Sequence, residues 1–174
     1  MATAILSSGS GVLLIRPTLF PSSGGHGMKR KLTDITTIII HCSDSFFGNA
    51  SLINEWHKQN GWAGIGYHHV ILNGVLEHGD PYDHGLDGTL QDGRSIYDVG
   101  AHCHGHNADS IGVCMIGKAA FTERQIERLR WLVRLYVARF RIPLHNVLGH
   151  YELNPNKTCP NIDMDQFRRS LVED

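Results

Sequence analysis

Hydrophobic positions along the chain fall into two rhythms. Ile35 to Cys42 is a short, β-branched run, the pattern of a buried strand. Ser110 to Ile116 is a second such run, and Leu144 to Leu148 a shorter third. Tyr67 to Leu72 and Val75 to His78 flank Asn73-Gly74, a dipeptide suited to a type I′ turn, and predict a hairpin. The helical rhythm begins at Ser51 to Gln59, where Leu52, Ile53 and Trp56 share one side and Asn60-Gly61 supplies a stop. It is clearest from Thr122 to Arg141. There Thr122 and Gln125 form a capping box, and Ile126, Leu129, Val133, Tyr136, Val137 and Phe140 recur at helical spacing before Pro143. Asp163 to Leu171 predicts a short final helix, and residues 79–98 a long loop. The expected architecture is a single α/β domain, a central mixed β-sheet flanked by about three helices.

Composition narrows the function classes. The chain has 174 residues, enough for one domain with a real core. Sixteen basic side chains oppose seventeen acidic ones, so there is no electrostatic case for nucleic acid or an acidic membrane as partner. The arginines of the long helix read as a solvated face. No apolar run approaches the ~18 residues that span a membrane. Residues 1–27 are rich in Ser and Gly and read as a flexible leader or extension, with the domain over 28–174; Met28-Lys29-Arg30-Lys31 resembles a natural start. The apolar piece Gly11 to Ile15 is too short, and lacks the preceding basic stretch, for a secretory signal. The four cysteines show neither a disulfide scaffold nor a CxxC pair, which reads as reduced thiols; Cys42 and Cys114 sit in strand-like runs and read as core.

Cys159 lies in a polar loop and has a different prospect. With His41 and His150 it offers a set of two imidazoles and one thiolate that would leave a tetrahedral zinc one open position, where zinc does chemistry. His41 is far from the other two in sequence and the spacing matches no zinc finger, so spacing leaves scattered structural histidines open as the alternative. His102, Cys103, His104 and His106 suggest a second metal site less well than a polar loop at a cleft edge.

The words around these residues carry more. Ile40-His41-Cys42-Ser43, Glu55-Trp56-His57-Lys58, Gly61-Trp62, Ile65-Gly66-Tyr67-His68 and Gly100-Ala101-His102 occur in order. Asn107, Asp109-Ser110-Ile111-Gly112-Val113, Gly149-His150-Tyr151-Glu152 and Lys157-Thr158-Cys159-Pro160 follow. In this order they resemble the zinc-dependent N-acetylmuramoyl-L-alanine amidases of type 2, above all the amidase-type lysozymes of tailed bacteriophages, and are similar to peptidoglycan-recognition proteins. The resemblance covers residues 34–172. It implies one catalytic Zn2+ held by His41, His150 and Cys159, with Tyr67 and Lys157 as catalytic partners. It implies substrate contacts from His102 and Asn107; Trp62 is a candidate for stacking on a sugar, and His68 a candidate groove or ligand-orienting residue. The implied substrate is the amide between the lactyl group of N-acetylmuramic acid and L-alanine of the peptidoglycan stem peptide.

Three departures from that family pattern stand out. His69 occupies a position usually apolar and aromatic, the His150–Cys159 loop is one residue longer, and residues 79–98 are longer and more acidic. The expected protein is a monomeric phage or prophage endolysin that accumulates in the host cytoplasm and reaches the wall at lysis. The competing readings are a non-catalytic recognition module, which the presence of Cys159 disfavours, and a regulatory partner of another phage protein, for which no motif speaks.

Overall fold

Five strands order the domain. The computed structural model describes residues 27–173, so the leader assigned to residues 1–27 lies, but for Gly27, outside the described residues. The elements are β1 (Thr37–Cys42), α1 (Ala50–Gln59), β2 (His69–Ile71), β3 (Leu90–Asp92), β4 (Ser110–Met115), α2 (Glu123–Phe140), β5 (Val147–Gly149), α3 (His150–Leu153) and α4 (Met164–Ser170). The sheet runs β3-β2-β4-β1-β5. Only the β2–β3 pair is antiparallel; β2, β4, β1 and β5 are parallel. The mixed α/β sheet is as expected, with one helix more than the three in the pattern, the single turn α3.

Side-chain alternation then divides the sheet into two faces. Ile38 and Ile40 of β1, Ile71 of β2, and Ile111, Val113 and Met115 of β4 pack with Leu129, Leu132, Val133 and Tyr136 of α2 and Phe167 of α4. Val70, Cys114 and Ile116 point the other way and pack with Ile53 and Trp56 of α1. Both faces of β1 and β4 are covered, which is why these strands read as unbroken apolar runs rather than alternating ones.

The predicted hairpin does not form. Asn73-Gly74 does turn, with Gly74 at φ 85° and the Asn73 side chain accepting from Val75 N–H at 3.1 Å. But Val75 to His78 leave the sheet, and the Val75 carbonyl takes the Gly48 N–H instead. The partner of β2 is β3, inside the stretch read as loop. Gly88 N–H donates to the Leu72 carbonyl and Leu72 N–H to Thr89 at 2.9 Å each, and Ile71 pairs with Leu90. A short polar strand at the sheet edge carries little periodicity, so its pairing was invisible in the pattern.

Two groups of polar side chains work inside the fold rather than on it. Arg124 and Arg128 donate to the carbonyls of His84 and Gly88, and Arg134 to that of Leu171, so these α2 arginines staple the 84–88 segment and the C-terminus instead of forming a freely solvated face. Gln125 is fully buried, and its Nε2 donates to the Ile116 carbonyl at 2.8 Å and the Ile71 carbonyl at 3.2 Å. Gln125→Leu strips two buried carbonyls of a donor. We expect a loss of about 1–3 kcal/mol, read as a lower urea midpoint at unchanged m-value. The unusual His69 is also resolved. It is buried, its Nε2 shares a hydrogen bond of 2.6 Å with the Tyr136 hydroxyl, and its Nδ1 lies 3.1 Å from Asp92 Oδ1. It ties α2 to the edge strand on the face away from the site.

Candidate metal centre

Strand register brings the first two candidate ligands together. Ile40 of β1 lies opposite Gly149 of β5, so the residues that follow, His41 and His150, leave the carboxyl ends of two parallel neighbours side by side. Their ring centroids are 4.5 Å apart. Glu152 fixes the turn into α3: it accepts from Gly149 N–H at 2.7 Å and pairs with Arg168 at 3.0 Å. The loop after α3 is closed by Tyr151 N–H donating to the Cys159 carbonyl at 3.0 Å, which returns Cys159 to His41. Cys159 Sγ lies 3.8 Å from His41 Nδ1 and 4.0 Å from His150 Nδ1, and the three ligand atoms all fall within 4.8 Å of one another.

The chemistry of this set fits a zinc ion. Burial, then His102, His150 and Lys157, hold His41 well below the ordinary imidazole range; burial and Lys157 lower His150 as well. Both rings are therefore neutral electron-pair donors near pH 7. The Cys42 thiol and then burial push the Cys159 thiol up, opposed by the Cys42 backbone N–H, which donates to Sγ at 3.2 Å. A divalent cation bound there would make the thiolate the stable form.

Tyr67 stands beside the same cluster, and Lys157 acts on it through its charge. The Tyr67 ring lies 5.0 Å from that of His41. Burial first, then Cys114, Cys159 and Cys42, raise its phenol well above the usual range, so it is a hydroxyl donor at every working pH. Lys157 is exposed, and its charge is near enough to depress both histidine ligands. The backbone beneath Tyr67 is tight. A Cβ on Gly66 would lie 1.9 Å from the Ala101 carbonyl oxygen. Gly66→Ala is expected to cost about 3 kcal/mol or more by overpacking, seen as a fall in melting temperature, because backbone cannot yield as a flexible side chain does.

The remaining candidates separate. Trp62 is half-exposed and continues an aromatic row outward from the ligands: its ring is 4.6 Å from His57, which is 5.4 Å from Tyr67. His68 is fully buried, and its Nδ1 accepts from Gly112 N–H at 2.9 Å, so it is sealed from the groove. Asn107 shapes a loop: its Oδ1 accepts from the N–H groups of His102 and Cys103 at 2.8 and 2.9 Å. His102 touches a ligand, with Nδ1 3.0 Å from His41 Nε2, and burial, then Arg30, His150 and Arg94, lower its pKa to about 3. The grouping of His102 with Cys103, His104 and His106 as a second site is not formed; among the described residues the one His/Cys/Asp/Glu group close enough to hold an ion is His41, His150 and Cys159. Sequence reasoning gave no site role to Cys42, which it read as core, or to Ser110 or His57. Parity along β4, which sends Ser110 and Gly112 to the His41 face, was the signal available for Ser110.

Comparison with known proteins places the chain among amidases and related folds. The endolysin of Escherichia phage T7 is 33% identical over 150 residues, 80% of this chain and 87% of that protein. The solved endolysin N-acetylmuramoyl-L-alanine amidase LysCS from Clostridium intestinale is 26% identical with a TM-score of 0.66, covering 80% of this chain and 86% of that one. Bumblebee PGRP-SA, at 21% identity and TM-score 0.66 over 84% and 87% of the two chains, shares the fold. The family model for N-acetylmuramoyl-L-alanine amidase, Amidase_2, matches residues 31–162, and this chain belongs to that amidase family.

Proposed function

We propose that this protein is a zinc-dependent endolysin that hydrolyses the amide between N-acetylmuramic acid and L-alanine of peptidoglycan. The observation that carries the reading is the convergence of one ligand atom each from His41, His150 and Cys159 within 4.8 Å, with Cys159 Sγ 3.8 and 4.0 Å from the two Nδ1 atoms. When bound there, zinc supplies Lewis acidity and brings the pKa of a water molecule towards ~7. His41, His150 and Cys159 would hold that ion, with the Cys42 N–H donating to the Cys159 sulfur. The Tyr67 hydroxyl donates to the carbonyl oxygen as negative charge gathers on it, and the Lys157 ammonium makes the electrostatic potential there more positive, which favours that charge. Trp62, at the outer end of the aromatic row, offers a face on which a sugar ring stacks.

The test is the product. Purified protein with defined muropeptides should release stem peptide with a free L-alanine amine. A chelator should abolish release and added zinc restore it. Chelator-insensitive hydrolysis would sink the zinc reading, and cleavage at any other bond the substrate assignment. The second reading, a recognition module that binds wall fragments without turnover, shares the fold; Cys159 in the ligand set favours the enzyme. Cell-wall lysis after cytoplasmic accumulation follows from the same reading. No helix among the described residues is long and apolar enough to cross a membrane.

A further inference from the structure

His102 has a more specific place than the edge of a groove. Its imidazole lies against the sheet between two glycines. A Cβ on Gly112, in central strand β4, would lie 2.5 Å from His102 Cδ2, and a Cβ on Gly100 would lie equally close. Neither glycine has a left-handed φ, so both serve space rather than backbone conformation. Glycine inside a strand marks a site of close approach. Here what approaches is an imidazole.

Hydrogen bonds give the ring a direction. The Ser110 hydroxyl is 2.5 Å from the His106 carbonyl oxygen. That oxygen can only accept, so the hydroxyl hydrogen is committed to it. Ser110 Oγ then presents a lone pair to His102 Nε2, at 3.4 Å, which places the His102 proton on Nε2. His102 Nδ1 is left as an acceptor, 3.0 Å from His41 Nε2. The His41 proton must sit on Nε2, and the His41 lone pair lies on Nδ1, the nitrogen facing Cys159. Asn107 holds the loop that delivers His102 by binding its N–H.

We propose that His102 is a positioning residue: fixed by Ser110 and by the Gly100–Gly112 seat, it holds His41 in the tautomer whose Nδ1 lone pair faces the metal. The inference rests on the zinc-site reading for its purpose but not for its geometry. A hydrogen-bond partner on the outer nitrogen of a ligating histidine fixes ring orientation and raises basicity, and its loss typically weakens metal binding by 10–100-fold.

Two measurements on the full chain test it. In metal-free, 15N-labelled protein, long-range imidazole correlations should show His41 as the Nε2–H tautomer. In His102→Leu it should become a mixture. Zinc affinity, read by competition with a chromophoric chelator, should fall about 10–100-fold in His102→Leu and recover in part in His102→Asn, whose amide oxygen can accept near the Nδ1 position. Ser110→Ala, which leaves both rings in place, should mix the His102 tautomers and weaken zinc less. A wild-type tautomer and zinc affinity in His102→Leu would overturn the proposal. Should that variant not fold, unmixed tautomers in Ser110→Ala would overturn it. Failure of the wild type to bind zinc would defeat the zinc reading, while the His41 tautomer would still decide the role of His102.

Discussion

Cys159→Ala is expected to abolish amide hydrolysis and zinc retention together. Three protein ligands with one open position is the minimum for a catalytic zinc. The thiolate is also the one anionic ligand, so its removal takes away both a bond and the charge that offsets the ion. Loss of a mere partner of a ligand typically costs 10–100-fold. Loss of the ligand itself should exceed that roughly 10–100-fold range in activity. The structure predicts a second signature. Zinc at a thousand times its dissociation constant stabilises a protein that binds it only when folded by about 4 kcal/mol. Zinc should therefore raise the melting temperature of the wild type clearly and that of Cys159→Ala hardly at all. His41 is fully enclosed where the thiolate is not, so His41→Ala should add a cavity cost to the same functional loss. Full activity in either variant would remove the metal centre from the mechanism.

Tyr67→Phe is the second large effect, and it should differ in kind. The substitution keeps the ring that packs between His41 and His57 and deletes one hydroxyl. Zinc affinity and melting temperature should stay near wild type. Turnover should fall about 10²–10³-fold, the effect of removing one donor to a developing oxyanion, with KM little changed because the interaction strengthens only as charge develops. A variant that loses affinity for muropeptide but keeps kcat would make Tyr67 a binding residue rather than a catalytic one. Because burial and the neighbouring sulfurs keep the phenol protonated far above its usual range, Tyr67 should contribute no alkaline limb to the rate profile below pH 10.

Much of this site was legible in the chain, for local reasons. The β1 and β4 runs are apolar throughout because both faces of these strands are covered, and α2 declares itself by a capping box and a 3.6-residue stripe. His41, Tyr67, His150, Lys157 and Cys159 stand in short words whose order resembles the amidases. Other features depend on partners far away in sequence. The hairpin at Asn73-Gly74 failed because the turn dipeptide specifies only a local bend. The open side of β2 was won by Leu90 to Asp92, a strand with no apolar signature. His68 and His102 looked alike as groove histidines. Tertiary packing sealed the first under Gly112 N–H and set the second against a ligand.

The sequence by itself determined the period of the central strands and the long helix, the helix caps, and which residue types were available as ligands, because these are properties of neighbours along the chain. Only the tertiary structure decided that Ile40 pairs with Gly149, and hence that His41 and His150 emerge together. It alone brought Cys159 back beneath the Cys42 N–H and cleared two glycines to admit His102. A metal centre is a matter of tenths of an ångström among atoms more than a hundred residues apart. Strand register and close packing set distances on that scale, and residue identity sets only what can happen once they are set.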